Sequence, residues 1–248
     1  MVHLATDDQA VARVTAETAA TESFAEVFYD ADGTRRTPTL RVLPFEPART
    51  VPALTAQDVL LVTGGGKGIT AECALAMAQD SGAKHALLGR SDPAQDAELS
   101  ANLQRMAQAG LIVEYARADV TDARSVKHAV ATLTATLGPV TAVLHGAGRN
   151  EPASLVTLET ETIARTFAPK VCGLRAVLAA VDPQDLRLLV TLGSSIGRTG
   201  LRGEAHYAMA NEWLAEATAS SASAIRTSAR CVSSGRCDRA SAWVNGST

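Results

Sequence analysis

The stretch D-V-L-L-V-T-G-G-G-K-G-I-T, Asp58 to Thr70, decides how the rest of the chain is read. A short aliphatic run leads straight into glycines, and the glycines into residues with helical spacing. Strand, tight turn and helix in that order open a βαβ unit. Small residues between the strand and the helix let backbone N–H groups close on a pyrophosphate, and the helix start adds partial positive charge. A turn that needs glycine for its own sake would look the same. The place of this turn, after the first strand of a βαβ series, favours dinucleotide binding. On that reading Thr63, Gly64, Gly66, Lys67, Gly68 and Ile69 build the cradle.

Downstream the pattern repeats. H-A-L-L-G-R (85–90), L-I-V-E-Y-A-R-A-D-V (111–120), V-T-A-V-L-H-G-A-G (140–148) and L-R-L-L-V-T-L-G-S (186–194) read as four more strands. Helical spacing falls at about 69–80, 93–109, 123–137, 161–181 and 205–218. Asp92 is the expected N-cap of the second of these helices, with Pro93 at its first position. Strands alternating with such helices predict right-handed crossovers and a parallel sheet covered on both faces. The expected class is therefore α/β, a Rossmann-type doubly wound fold. In that fold the second strand ends at the adenosine ribose. An acid there suits NAD, whereas Arg90 with Ser91 suits the 2′-phosphate of NADPH. Asp119 and Val120 are expected at the adenine. Gly146, Ala147 and Gly148 would keep the backbone open beside the cofactor. His145 is read as a packed strand-end residue in preference to a ligand or base.

The flanks read differently. Residues 1–22 look helical and polar, and 23–44 read as two strands about a turn at Asp30–Gly33, a small β-hairpin extension. Three prolines between Pro44 and Pro52 mark a linker, so the expected divisions are 1–43, 44–57, 58–218 and 219–248. The last stretch is rich in Ser and Arg and poor in aliphatics. The net charge of −3, with no block of Lys or Arg, points away from nucleic acid and anionic membrane as partners. No apolar run approaches the length of a bilayer span, and the N-terminus lacks a basic region followed by an apolar one. Four cysteines with no C-x-x-C among them read as reduced thiols in a cytoplasmic protein, and no metal site is expected.

H-Y-A-M-A-N, His206 to Asn211, poses the chemical question. It sets a phenol and an amide one turn apart on a helix face. A phenol gives up a proton near neutral pH only if a cation pulls its pKa below about 10, and this turn contains no Lys.

With these motifs in order the chain resembles the short-chain dehydrogenase/reductase superfamily. That family carries T-G-x-x-x-G-x-G, small residues after strand four, a Ser after strand five and Tyr-x-x-x-Lys on the next helix. Here Thr63, Gly64 and Gly68 match, Thr70 stands at the last glycine, and Asn211 stands where the Lys is usual. Such a swap is a mark of ketoreductase domains of polyketide synthases and related fatty-acid synthases, whose Lys lies on the helix before strand five. T-F-A-P-K-V-C-G-L supplies Lys170, and L-G-S-S supplies Ser194, thirteen residues before Tyr207; Ser195 is the competing assignment. The segments G-G-G-K-G-I-T, H-G-A-G-R-N-E-P and G-L-R-G-E-A-H-Y look most like reductases of iterative synthases of the enediyne and polyunsaturated-fatty-acid kind. The resemblance covers roughly 59–217.

It implies catalytic roles for Tyr207, Ser194, Lys170 and Asn211, with Lys170 and Tyr207 also touching the cofactor. It implies NADPH-dependent reduction of a β-ketoacyl thioester carried by an acyl carrier protein, beside other polyketide synthase domains. Neither a Leu-Asp-Asp marker near Asn150 nor a Trp at Thr199 is present, so product stereochemistry is not implied. A free-standing reductase of a small carbonyl compound and a non-catalytic nucleotide-binding remnant stay open. The hairpin resembles the end of the subdomain that precedes such reductases, so the chain is expected to begin inside a larger enzyme. The tail departs from the family. It reads as a flexible linker or, preferred here, as a reading-frame shift that would leave the sheet truncated at its C-terminal strands and impair activity.

Overall fold

The computed structural model describes residues 2–22, 25–39 and 54–222. They fall into two units that divide at Thr50 and Val51.

In the first unit β1 (Val2–His3) and α1 (Ala10–Ala20) precede the expected hairpin, β2 (Val27–Tyr29) and β3 (Arg35–Arg36). The hairpin is antiparallel, and β1 lies parallel to β2 on its other side. The helix is thus shorter than the polar stretch 1–22 suggested, and residues 2–3 are strand instead. Glu17 of α1 is nearly buried, and it accepts hydrogen bonds from Arg35 at 2.6 and 3.0 Å and from the Tyr29 hydroxyl at 2.7 Å. The Arg35 bond, then the Tyr29 bond, hold its carboxyl at about 2.

The second unit is the α/β fold that the sequence predicts. Its elements in order are β4 (Val59–Thr63), α2 (Gly68–Ser81), β5 (Lys84–Gly89), α3 (Ala97–Gln108), β6 (Val113–Arg117), α4 (Ala123–Leu137), β7 (Ala142–His145), α5 (Thr160–Phe167), a π turn (Ala168–Cys172), α6 (Gly173–Ala180), β8 (Leu188–Thr191), α7 (Ile196–Thr199) and α8 (Ala205–Ala222). The strands are all parallel, in the order β6-β5-β4-β7-β8. The order reverses between β4 and β7, which opens a crevice beyond their carboxyl ends.

Period-two alternation builds the core on both faces. Val59 and Leu61 point to one side with Val126, Leu133, Leu174, Val177 and Leu214 from α4, α6 and α8. Leu60 and Val62 point to the other with Ala71, Ala74 and Met106 from α2 and α3. Alanines on α2 bring that helix close to the sheet. At the sheet's opposite edge Asp58, 1% exposed, accepts hydrogen bonds from Thr55 and Thr141 and pairs with Arg187, tying the starts of β4 and β7 to the approach of β8. Leu54 is already in the core at 4% exposure, although it lies within the stretch expected as linker.

Helix starts follow side-chain caps. Asp122 opens α4 by accepting from the N–H groups of Arg124 and Ser125. Asp122→Ala is expected to cost about 1 kcal/mol, read as a lower urea midpoint. The start of α3 corrects the sequence expectation. Asp92 and Pro93 form a turn, and Asp96 is the cap, accepting from Leu99 N–H at 3.1 Å while its other oxygen takes Lys67 at 2.6 Å. The same carboxylate thus caps α3 and anchors Lys67 of the glycine turn. The long helix expected at 161–181 is interrupted by the π turn, and α8 runs to Ala222, past the expected 218. Four-residue α7 was not foreseen. The proposed loss of the last strands and the frame-shift reading concern residues 223–248, outside the described ones.

Candidate active site

The crevice at the switch point is a cleft of about 680 Å³. Its floor is the glycine turn. Gly64 lies at φ +70, and a Cβ there would come within 3.0 Å of the Ala147 nitrogen. Opposite, a Cβ on Gly146 would fall 2.2 Å from Oγ1 of Thr70. The side chain that replaces the family's last glycine is thus accommodated by a glycine on the neighbouring strand end. Gly146→Ala is expected to push these two segments apart, costing about 1–3 kcal/mol of stability and weakening dinucleotide binding at least about tenfold; calorimetric titration with NADPH checks this.

Gly64, Gly66, Lys67, Arg90, Ser91, Asp119, Val120, Gly146, Ala147 and Gly148 all line the cleft, as do Tyr115, Arg149 and Arg165, which sequence reasoning missed. Tyr115 sits on β6 and donates to the Ser91 carbonyl at 2.7 Å, holding that end of the cleft. Arg90 is exposed at the mouth, 3.9 Å from Asp119. Burial works to raise the Asp119 carboxyl, but hydrogen bonds from the Thr121 N–H and hydroxyl outweigh it and lower the value. Gly68, Ile69 and Thr63 stand apart from the lining. Ile69 is 58% exposed, the Gly68 N–H donates to Glu98 at 3.2 Å, and Thr63 is buried beneath the turn.

The close backbone approach and the donors at the turn fit a dinucleotide. The Glu98 carboxylate already sits at the α2 N-terminus, where a bound phosphate would compete with it for the Gly68 N–H.

The second half of the site lies where β7, the π turn and α8 meet. Lys170 comes from the π turn, is 4% exposed, and has its Nζ 5.4 Å from the centre of the Tyr207 ring. Nζ donates to the Leu192 carbonyl at 3.2 Å, two residues before Ser194. A Cβ on Gly148 would meet Lys170 Cε at 3.3 Å, so the lysine runs close under that glycine. Burial lowers the Lys170 amine to about 8. Asn211, one turn beyond Tyr207, donates to the Tyr207 carbonyl at 2.7 Å, and its own Oδ1 is buried without a partner. Ser194 is half-buried at the end of β8 and accepts from the Ile196 N–H at 3.3 Å, whereas Ser195 is exposed.

The loop after β7 is pinned to the start of α8. Asn150 donates to Glu204 at 3.1 Å, and His206 bonds the Glu151 carbonyl at 3.0 Å. Tyr207 is thereby held at the edge of the site.

A family model described as "KR domain" matches residues 59–237. The chain belongs to the KR domain family. The match runs past residue 217, the end of the resemblance in the sequence. A mycocerosic acid synthase-like polyketide synthase of Mycobacterium tuberculosis is 32% identical over 173 residues, 70% of this chain and 8% of the relative. Polyketide synthase PksN of Bacillus subtilis is 30% identical over 159 residues, 64% of this chain and 3% of the relative. This KR domain chain therefore spans less than a tenth of the length of these relatives. Among solved structures, an N-terminal ketoreductase from the macrolactin assembly line superposes with TM-score 0.71 at 22% identity, over 90% of this chain and 45% of that one. A blue fluorescent protein from a metagenomic library, solved with NADPH, superposes with TM-score 0.57 at 25% identity, over 63% of this chain and 64% of that one. Among the described residues no helix is long and apolar enough to cross a membrane, and no cluster of metal-ligating side chains occurs.

Proposed function

We propose that this chain is the NADPH-dependent ketoreductase of a polyketide synthase, reducing the β-carbonyl of a β-ketoacyl thioester held on an acyl carrier protein. One observation carries the reading: the buried Lys170 ammonium approaches the Tyr207 ring from a different helix. Asn211 occupies the position that the lysine of other short-chain reductases takes, and Lys170 restores the charge from across the site.

NADPH, when bound, supplies the hydride. Gly64, Gly66 and Ala147 would hold its pyrophosphate side by backbone approach, and Arg90 with Ser91 and Lys67 would meet the 2′-phosphate. Tyr207 donates its hydroxyl proton to the carbonyl oxygen of the substrate as that oxygen gains charge. Ser194 donates a hydrogen bond to the same oxygen. Lys170 stabilises the phenolate left on Tyr207. Asn211 fixes the backbone of the tyrosine turn and offers its unpartnered Oδ1 to a water or to Lys170. The work belongs in the cytoplasm, among the other domains of a synthase.

The test is incubation of the full chain with NADPH and a β-ketoacyl thioester mimic. Oxidation of NADPH with formation of the β-hydroxy thioester is expected. Tight NADPH binding without product would instead support a nucleotide-binding remnant, and turnover confined to small free ketones a free-standing reductase.

A further inference from the structure

His145, at the end of β7, is fully buried. Its Nδ1 lies 2.8 Å from the Thr63 hydroxyl, and its Nε2 lies 3.1 and 3.0 Å from the carbonyl oxygens of Pro169 and Lys170. Two carbonyls can only accept, so Nε2 carries the proton and Nδ1 accepts from Thr63. The same Thr63 oxygen accepts the Ala147 N–H at 3.3 Å. One chain of hydrogen bonds therefore runs from the cofactor-side backbone at Ala147, through Thr63 and His145, to the turn that bears Lys170.

That turn needs an outside donor. In an α-helix the Gly173 N–H would go to the Pro169 carbonyl. Here it goes to Ala168, five residues back, which takes that donor away from the Pro169 carbonyl. The imidazole supplies the missing donor. Gly173 packs closely here: a Cβ there would lie 2.9 Å from Val120 Cγ2, with His145 Cε1 at contact distance, 3.5 Å.

We infer that His145 is a positioning residue, holding the π turn open through the Pro169 and Lys170 carbonyls and so setting Lys170 against Tyr207. The proposal rests on the functional reading above only in giving Lys170 a chemical task; the geometric claim stands without it.

The test separates the two. The full chain, without cofactor and with lysine labelled at Cε, is titrated by NMR, the Lys170 signal being assigned with Lys170→Arg. In the wild type Lys170 is expected to lose its proton near pH 8. His145→Phe fills the space but frees the carbonyls, and should move this titration toward the ordinary lysine value of about 10.4. His145→Gln, whose amide N–H reaches the same carbonyls, should keep it low. His85→Phe removes a second fully buried histidine, one that bonds only the Ala74 and Ala83 carbonyls, and should cost stability without moving Lys170. In the reductase assay His145→Phe should lower kcat at least about tenfold with little change in KM for the thioester, and His145→Gln should recover most of it.

An unchanged Lys170 titration in folded His145→Phe, or an equal shift in His85→Phe, overturns the proposal. Should His145→Phe fail to fold, Thr63→Val decides: it removes the hydroxyl that orients the ring, and an unmoved Lys170 there overturns the proposal as well. If the wild type reduces no thioester, the ketoreductase reading falls, while the titrations still decide what His145 does.

Discussion

Replacing Tyr207 by Phe is expected to lower kcat for thioester reduction by about 10²–10⁴-fold, or roughly 3–5 kcal/mol on the barrier. The change removes one oxygen, and among the described residues that hydroxyl makes no hydrogen bond within the fold. The melting temperature of the variant should stay close to that of the wild type, so the loss can be assigned to the site and not to the fold. The direction follows from charge. As the substrate's carbonyl becomes an alkoxide, a proton must arrive from a positioned donor, and the phenol stands beside the buried ammonium that favours its departure. Lys170→Met should reproduce much of the loss from the other side of the pair, because the phenolate then has no cation. Steady-state kinetics of the three proteins at one NADPH concentration decide the matter. A Tyr207→Phe variant that retains a tenth or more of wild-type kcat would remove Tyr207 as the proton donor.

Much of this site could be read in the sequence because its parts are local. V-L-L-V-T followed by glycines fixes a strand and its turn within a dozen residues, and Asp122 caps α4 with donors two and three residues away. Lys170 came from the resemblance to ketoreductase domains, which places the cation that the tyrosine turn lacks on the helix before strand five. What could not be read depends on contacts between distant segments. The π turn hides inside a good helical pattern, and the donor that answers its carbonyls is His145, 25 residues earlier. Asp96, which caps α3 in place of Asp92, also holds Lys67, 29 residues away in the chain. Thr70 looked like a departure from the glycine motif. The compensation lies at Gly146, on a strand that follows two more crossovers. His145 is the packed strand-end residue that periodicity predicts, but its carbonyl partners lie on the π turn, which the sequence does not announce.

Acid should therefore weaken this unit earlier than its carboxylates alone would. Burial, and next the nearby Lys170 charge, hold His145 at about 4, down from 6.5. A depressed histidine is neutral in the fold and takes up its proton in the unfolded chain first. The stability it contributes is whole above pH 6.5 and is lost as pH falls toward about 4, roughly 3 kcal/mol over that window. His85, also lowered by burial, adds in the same direction. Asp96 acts in a lower window: its carboxyl is held at about 2, first by Lys67, so its share goes only below the ordinary carboxylate value. Lys170 acts at the other end. Its amine is lowered from 10.5 to about 8, so burial penalises the charged form, and the fold gains stability as pH rises between those values. Urea midpoints measured across the range should thus fall from pH 6.5 to about 4 in the wild type. They should fall less steeply in His145→Gln, which keeps the donor but cannot be protonated. Equal slopes in the two proteins would mean that the imidazole is not held neutral by its surroundings, and that the Nε2–H tautomer is not what ties β7 to the lysine turn.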